Sequence, residues 1–259
     1  MPRAWLALAL LLSGIARGAG PNYSAAGIVN TANYTAGPFA PNAIVSIFGS
    51  GMARSAQSAA VAPGAAQLPV EINYVRVYID NSPTALFYVS DTQINFLMPA
   101  NLVPGTVTIR VVTEGVAGPE IAAPIATAAP ALFPLTGGYA IATHADATLL
   151  TADSPAHPGD TIVIYLTGLG YTSPNPAPGE IQPDARQITQ MSTLQVSLNG
   201  AAVDPICVKY AGLTPGSAGL YQINLFLPAN VTADPEIRVS VAGQSSPAGL
   251  KLPVSVPQP

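Results

Sequence analysis

The sequence predicts an all-β chain built as two tandem sandwich modules. Three observations carry that prediction: a long internal repeat, strand-period alternation inside each copy, and a composition poor in charge and rich in turn formers. The repeat is plainest where "QINFLMPANL" (93–102) returns as "QINLFLPANV" (222–231), with six of ten letters identical and the rest apolar exchanges. A chain that repeats itself over this length repeats a structural unit.

The elements follow in order. Arg3, the apolar run Trp5 to Leu12 and the small residues around Ala16-Arg17-Gly18 read as a signal peptide over residues 1–18, cut after Gly18 or Gly20. The apolar run is too short to span a bilayer, which needs about 20 residues. Residues 19–40 read as a polar arm packed on the first module. The first module is expected over 41–127, an extended connector with one hairpin in "YAIATHADATLL" over 128–157, and the second module over 158–257.

Each module begins alike: "PNAIVSIFGSGM" (41–52) aligns without gaps on "PGDTIVIYLTGL" (158–169). "VRVYIDNSP" (75–83) then answers "LQVSLNGAA" (194–202), and "GTVTIRVV" (105–112) answers "PEIRVSVA" (235–242). The offset between copies grows across "AGLTPGSAG", which marks an insertion in the second copy. Val75, Val77 and Ile79 alternate with Tyr74, Arg76 and Tyr78; Leu194, Val196 and Leu198 alternate with Thr193, Gln195 and Ser197. Period two with β-branched enrichment is the half-buried strand pattern. Asn199-Gly200 is the strongest short hairpin signal, because both residues accept positive φ.

Composition agrees. Charged residues make up 8% of the chain, far below the ~25% of an average soluble domain, so long surface helices are not expected. The 27 prolines and 23 glycines punctuate the chain too often for helices. Without residues 1–18 the chain keeps seven basic and thirteen acidic residues, a net charge of −6. Nothing there invites nucleic acid or an anionic membrane. The mature chain is expected to be extracytoplasmic, secreted or periplasmic, with no membrane insertion after signal cleavage.

No catalytic set assembles from the sequence, and no cofactor or metal is expected. Cys207, the one cysteine, sits in the strand-like "ICVKY" and reads as a small buried apolar residue. His144 and His157 lie in the connector without a third or fourth metal ligand. Ser50 and Ser217 lack the frame of a nucleophile elbow and read as turn serines. Asp146, Asp153 and Asp160 recur every seven residues; calcium is conceivable there, but no D-x-D-x-D-G cluster exists, and turn formation is the favoured role. Sequons at Asn22, Asn33 and Asn230 matter only in a host that glycosylates.

Two constellations stand out. In the repeated phrase, Gln93 and Asn95, like Gln222 and Asn224, share a strand face that then turns apolar. Partly buried amides must be hydrogen-bonded. The four therefore read as a structural brace bonded to a preceding loop backbone, in preference to a site, with Pro99 and Pro228 ending the strands. Tyr74, Arg76 and Tyr78 are the other set. The second copy has Thr193, Gln195 and Ser197 at the same positions, so the fold as such does not need the stripe. Tyr and Arg are favoured at binding hot spots. The competing reading has the arm or connector covering the stripe.

"GIVNTANYTAGPFAPNAIVSIFGSGMA", "YVSDTQINFLMPA", "GDTIVIYLTGLG" and "GLYQINLFLPANV", in this order, resemble an acidobacterial family of secreted proteins of unknown function. Its members carry a C-terminal region of two IPT/TIG-like immunoglobulin modules. The resemblance spans nearly the whole mature chain. It implies two tandem Ig-like (IPT/TIG-like) β-sandwich modules and an extracytoplasmic location, and it brings no assigned catalytic residue. Larger domains often precede the region in that family. Here only a signal and a short arm do, so service to an attached enzyme is not expected. The leading expectation is a secreted, non-catalytic binding or adhesion protein whose partner is a protein or a cell-surface polysaccharide. Carbohydrate binding is the second reading and a hydrolase the third.

Overall fold

The computed structural model describes residues 20–62 and 64–256. The signal segment 1–18 lies outside the described residues. The described residues are all-β, with antiparallel sheets and two short 3-10 turns. Each copy of the repeat makes one sandwich, with a separate apolar core in each.

In the first sandwich, one sheet runs in the order 22–30, 44–50, 93–97, 86–89 and 57–58; the facing sheet runs 121–125, 105–113, 75–79 and 82–83. In the second, strands 131–132 and 142–144 pair one after the other along one edge of 161–167, and 221–226, 208–213, 186–188 and 172–173 follow from its other edge. Its facing sheet runs 201–202, 195–198, 237–241 and 244–245. Strand 75–79 buries Val75, Val77 and Ile79 and turns Arg76 outward. Period two is thus read directly from burial.

The repeat holds at the level of register. Ser46 faces Asn95 and Ile47 faces Ile94 in the first copy; Val163 faces Asn224 and Ile164 faces Ile223 in the second. A one-residue slip would turn every core side chain outward, so identical register is what identical burial requires. Both copies also carry a bulge on the neighbouring strand, between Leu86 and Tyr88 and between Val208 and Tyr210. Each bulge sets a tyrosine opposite the shared asparagine.

The Asn199-Gly200 hairpin signal resolves as a tight turn with positive φ (51° and 78°), and Glu114-Gly115 (52° and 76°) and Ala242-Gly243 (50° and 76°) make turns of the same kind. In such two-residue turns the backbone twist matches that of the flanking strands. The hairpin expected in 139–150 is present, bridged at Thr143 and Leu149.

Three elements differ from the sequence reading. Residues 22–30, read as part of an arm, form a strand paired with 44–50. Its alternation is broken by a register shift between Tyr23 and Ile28, which hid it from a period-two scan. The connector contributes strands 131–132 and 142–144 to the second sandwich, both paired with 161–167. Cys207 ends a 3-10 turn, Pro205–Cys207, capped by the Asp204 side chain; it is half-buried, and the strand starts at Val208.

The two sandwiches meet across an interface to which the second copy contributes Thr167, the segment 175–181 and, from its extra residues, Ala218 and Gly219. Leu97, Ala85 and Ala218 bury there, with Ile44, Leu68, Phe87 and Ile181 packed around them. Thr167 Oγ1 accepts from Ile44 N (3.0 Å) and donates to Gly219 O (3.1 Å). Asn175 Nδ2 donates to Ala100 O (2.8 Å), Leu68 N to Gly179 O (2.9 Å) and Ile181 N to Ala66 O (2.8 Å). Gly219 has φ +67°, and an added Cβ would fall 2.3 Å from Leu97 Cδ1 and 3.0 Å from Asn42 O. No side chain fits there. Tyr221, fully buried, donates to Gly170 O and accepts from Asn42 Nδ2 of the first sandwich at 3.5 Å. Burial pushes its hydroxyl pKa up.

Candidate functional site

Tyr74, Arg76 and Tyr78 line one groove of about 380 Å³ with Glu71, Val112, Glu114 and Gly115, all from the first sandwich. Neither the 20–40 segment nor the connector covers it, and Tyr74 is 70% exposed. The stripe is not a plain strand face, however. Arg76 and Tyr78 are alternate residues of strand 75–79, but Tyr74 belongs to the turn before it, with φ 61° after Asn73 at 50°. Ile72 and Val75 exchange backbone bonds across the turn (2.9 and 3.2 Å). Asn73 Nδ2 ties it to Ser55 Oγ (3.0 Å) and Ser55 O (3.2 Å). Positive φ disfavours a bulky residue. Held strain of this kind concentrates at working sites, and here it aims an aromatic ring into solvent.

Charges rim the groove in matched pairs. Arg76 Nε lies 2.6 Å from Glu71 Oε2. The Tyr78 hydroxyl, and then Glu71, hold the Arg76 guanidinium pKa above its ordinary value. Arg54 is bidentate on Glu114, one contact at 2.7 Å. Arg110 binds Glu120 (2.9 Å) and lies over the Tyr78 ring, 5.5 Å from its centroid. Exposed ion pairs contribute about 0–1 kcal/mol each. Three such pairs on one face of a chain with so little charge are therefore poorly explained by stability. What the arrangement can do chemically is bind: planar guanidinium donors, carboxylate acceptors and two phenol rings converge, with both lining carboxylates, Glu71 and Glu114, held in ion pairs with arginines.

The amide quartet has a different geometry from the one its sequence suggests. Gln93 Nε2 donates to Asn95 Oδ1 at 2.8 Å, and Gln222 Nε2 donates to Asn224 Oδ1 at 2.8 Å. The partner is a side chain two residues away on the same strand, not a loop backbone. Side chains at i and i+2 share a face, and the outward face is open enough for the two amides to meet. Ser46 Oγ also donates to Asn95 Oδ1 (2.9 Å) and is itself paired with Thr31 Oγ1 (2.9 Å).

The remaining candidates stay apart. His144 Nε2 contacts Ser154 O and Oγ at 3.3 Å, and Asp160 accepts from His157 N at 2.7 Å. Asp146 accepts from Thr148 Oγ1 (2.6 Å) and then from Thr148 N (3.0 Å), which together hold its carboxyl below the usual range and make it a turn residue. Among the described residues no three His, Cys, Asp or Glu side chains gather to hold a metal, and no helix is long and apolar enough to cross a membrane. Sequence reasoning passed over Tyr34 and Phe48, an exposed aromatic pair with ring centroids 6.0 Å apart. Phe48 carried a signal, since it occupies an outward position of a period-two strand.

Residues 28–123 match the model of the IPT/TIG domain. No curated protein matches the sequence. Among solved structures, the chain is similar to SGBP-B of the mixed-linkage glucan utilization locus of Bacteroides ovatus, at 10% identity and TM-score 0.34, covering 92% of this chain and 46% of that one. It is also similar to the surface glycan-binding protein PbSGBP-B of Prevotella bryantii, at 11% identity and TM-score 0.28, covering 82% and 37%. A third is the titin Ig tandem A164-A165, at 10% identity and TM-score 0.24, covering 85% and 91%. The chain spans less than half the length of the two glycan-binding structures. At these TM-scores none of the three carries a functional argument.

Proposed function

We propose that this chain is an exported, non-catalytic binding module whose first sandwich takes a protein partner in the Tyr74–Arg76–Tyr78 groove. One observation carries the reading: the groove is open and rich in Tyr and Arg in one copy of a repeat whose other copy has Thr193, Gln195 and Ser197 at the same positions. Tyr and Arg supply contact area and directed hydrogen bonds, and they dominate the energetic centres of protein interfaces. A rim carrying both signs of charge suits a protein surface of mixed charge. The hydrolase reading has no assembled residues in its favour.

The test is binding of the labelled mature chain to intact cells of the producing organism. Arg76→Glu sets a second carboxylate beside Glu71 and reverses one rim charge. It should weaken binding by about tenfold or more, the effect of losing one good interfacial pair, with the melting temperature unchanged. Treating the cells with protease should abolish binding. Undiminished binding by Arg76→Glu contradicts the proposal.

A further inference from the structure

The outward face of the first sandwich's other sheet carries a second set of side chains, remote in kind from the Arg–Tyr groove because it is uncharged. Tyr34 and Phe48 stand together at 61% and 37% exposure. Phe48 is directly opposite Gln93 in the strand register, and Tyr88 is opposite Asn95. The Gln93–Asn95 bond uses one donor of the first amide and the acceptor of the second. Gln93 Oε1 and Asn95 Nδ2 have no partner among the described residues, and neither is shut away from solvent. The amide pair thus presents one free acceptor and one free donor beside two rings.

Tyr34 is held there. Its φ is +55°, in a turn closed by Tyr34 N to Asn30 O (2.9 Å), Asn30 N to Thr35 O (2.9 Å) and Ala32 N to Asn30 Oδ1 (2.9 Å). Asn33 Oδ1 accepts from both Thr35 N and Thr35 Oγ1. A turn so fully bonded presents an exposed ring in a backbone state that bulky residues avoid. The second copy keeps the rest of the set: Tyr165 opposite Gln222, the Gln222–Asn224 bond, and Tyr210 opposite Asn224.

We infer that the face formed by Tyr34, Phe48, Gln93 and Asn95 is a platform for a neutral polysaccharide chain. A sugar ring offers an apolar C–H face and hydroxyls that both donate and accept. Exposed rings cover the first; a free amide oxygen and a free amide NH₂ answer the second. None of the four side chains is charged, so an anionic polymer gains nothing. The face is part of a sheet surface and not a closed pocket, which suits a long chain better than a small ligand.

The experiment is affinity electrophoresis of the full mature chain in gels containing hydroxyethyl cellulose, galactomannan or dextran, with carboxymethyl cellulose as the charged control. At least one neutral polymer should retard the wild type. Tyr34→Ala/Phe48→Ala should weaken that retardation about tenfold or more, the scale of losing aromatic contacts, while Tyr74→Ala/Tyr78→Ala leaves it unchanged. Tyr34→Asn guards against misfolding, since Asn tolerates positive φ: it should keep or raise the melting temperature and still weaken binding. No retardation by any of the three neutral polymers, or retardation untouched by both variants at Tyr34, overturns the inference. Binding by the carboxymethyl polymer alone overturns it too.

Discussion

Asn95 and Asn224 occupy the same place in two copies, yet their surroundings differ. Asn95 Oδ1 accepts two hydrogen bonds, from Gln93 and Ser46, and Ser46 is fully buried. Asn224 Oδ1 accepts one, and Val163 faces it where Ser46 faces Asn95. As a structural brace, the quartet predicts unequal costs. Asn95→Ala removes the acceptor of two hydrogen bonds, one from the buried Ser46 hydroxyl, which keeps only Thr31 Oγ1 as a partner, and should lose about 1–3 kcal/mol, Asn224→Ala about half of that. Denaturant unfolding of the two variants measures the difference. Lost binding with unchanged stability in both would make the phrase a site alone.

At the scale of elements, the best defined feature outside the cores is the segment 177–182, which straps the second sandwich to the first through Gly179 O and Ile181 N. Glu180 anchors it, accepting from Arg186 Nη2 (2.5 Å) and Nη1 (3.1 Å) and from Ala177 N (2.7 Å). The two side chains are 20% and 15% exposed. The Arg186 guanidinium, followed by the Ala177 N–H, holds the Glu180 carboxyl below the ordinary glutamate range. A depressed carboxyl stabilises the fold above its unfolded pKa, and that contribution is lost as pH falls through the folded value. Wild type should therefore exceed Glu180→Gln in unfolding free energy above roughly pH 5, and the gap should close toward roughly pH 3. Paired pH–stability curves test this; a gap that does not change with pH contradicts it.

The strands were legible because the core demands period two in both copies: Val75, Val77 and Ile79 announce themselves. Strand 22–30 was not, because a register shift interrupts its alternation. Tyr74 was misplaced for a related reason. In sequence it continues the alternation of Arg76 and Tyr78, and only the backbone shows a turn residue at positive φ. Loop 177–182 and Gly219 carried no local signal at all, since what defines them is contact with residues over a hundred positions away.

On the scale of the whole molecule, the repeat has been used asymmetrically. The insertion in the second copy sets Ala218 and Gly219 against Leu97 and Ile44, covering that end of the first copy's sheet. The second copy keeps Phe226 exposed at the corresponding position, with Lys209 5.8 Å from its ring centroid. One sandwich then bears the Arg–Tyr groove while the other braces it. Export belongs to this scale: N-terminal sequencing of protein from the native host should begin at or near Ala19, and recovery of Met1 from cytoplasm would contradict it. The central claim is that the first sandwich binds through its groove. Its most direct test is a binding isotherm on intact cells for wild type and Tyr74→Ala/Tyr78→Ala, with melting temperatures taken on the same preparations. The double variant should lose affinity by about tenfold or more with its melting temperature retained; equal affinities for the two proteins would contradict binding through the groove.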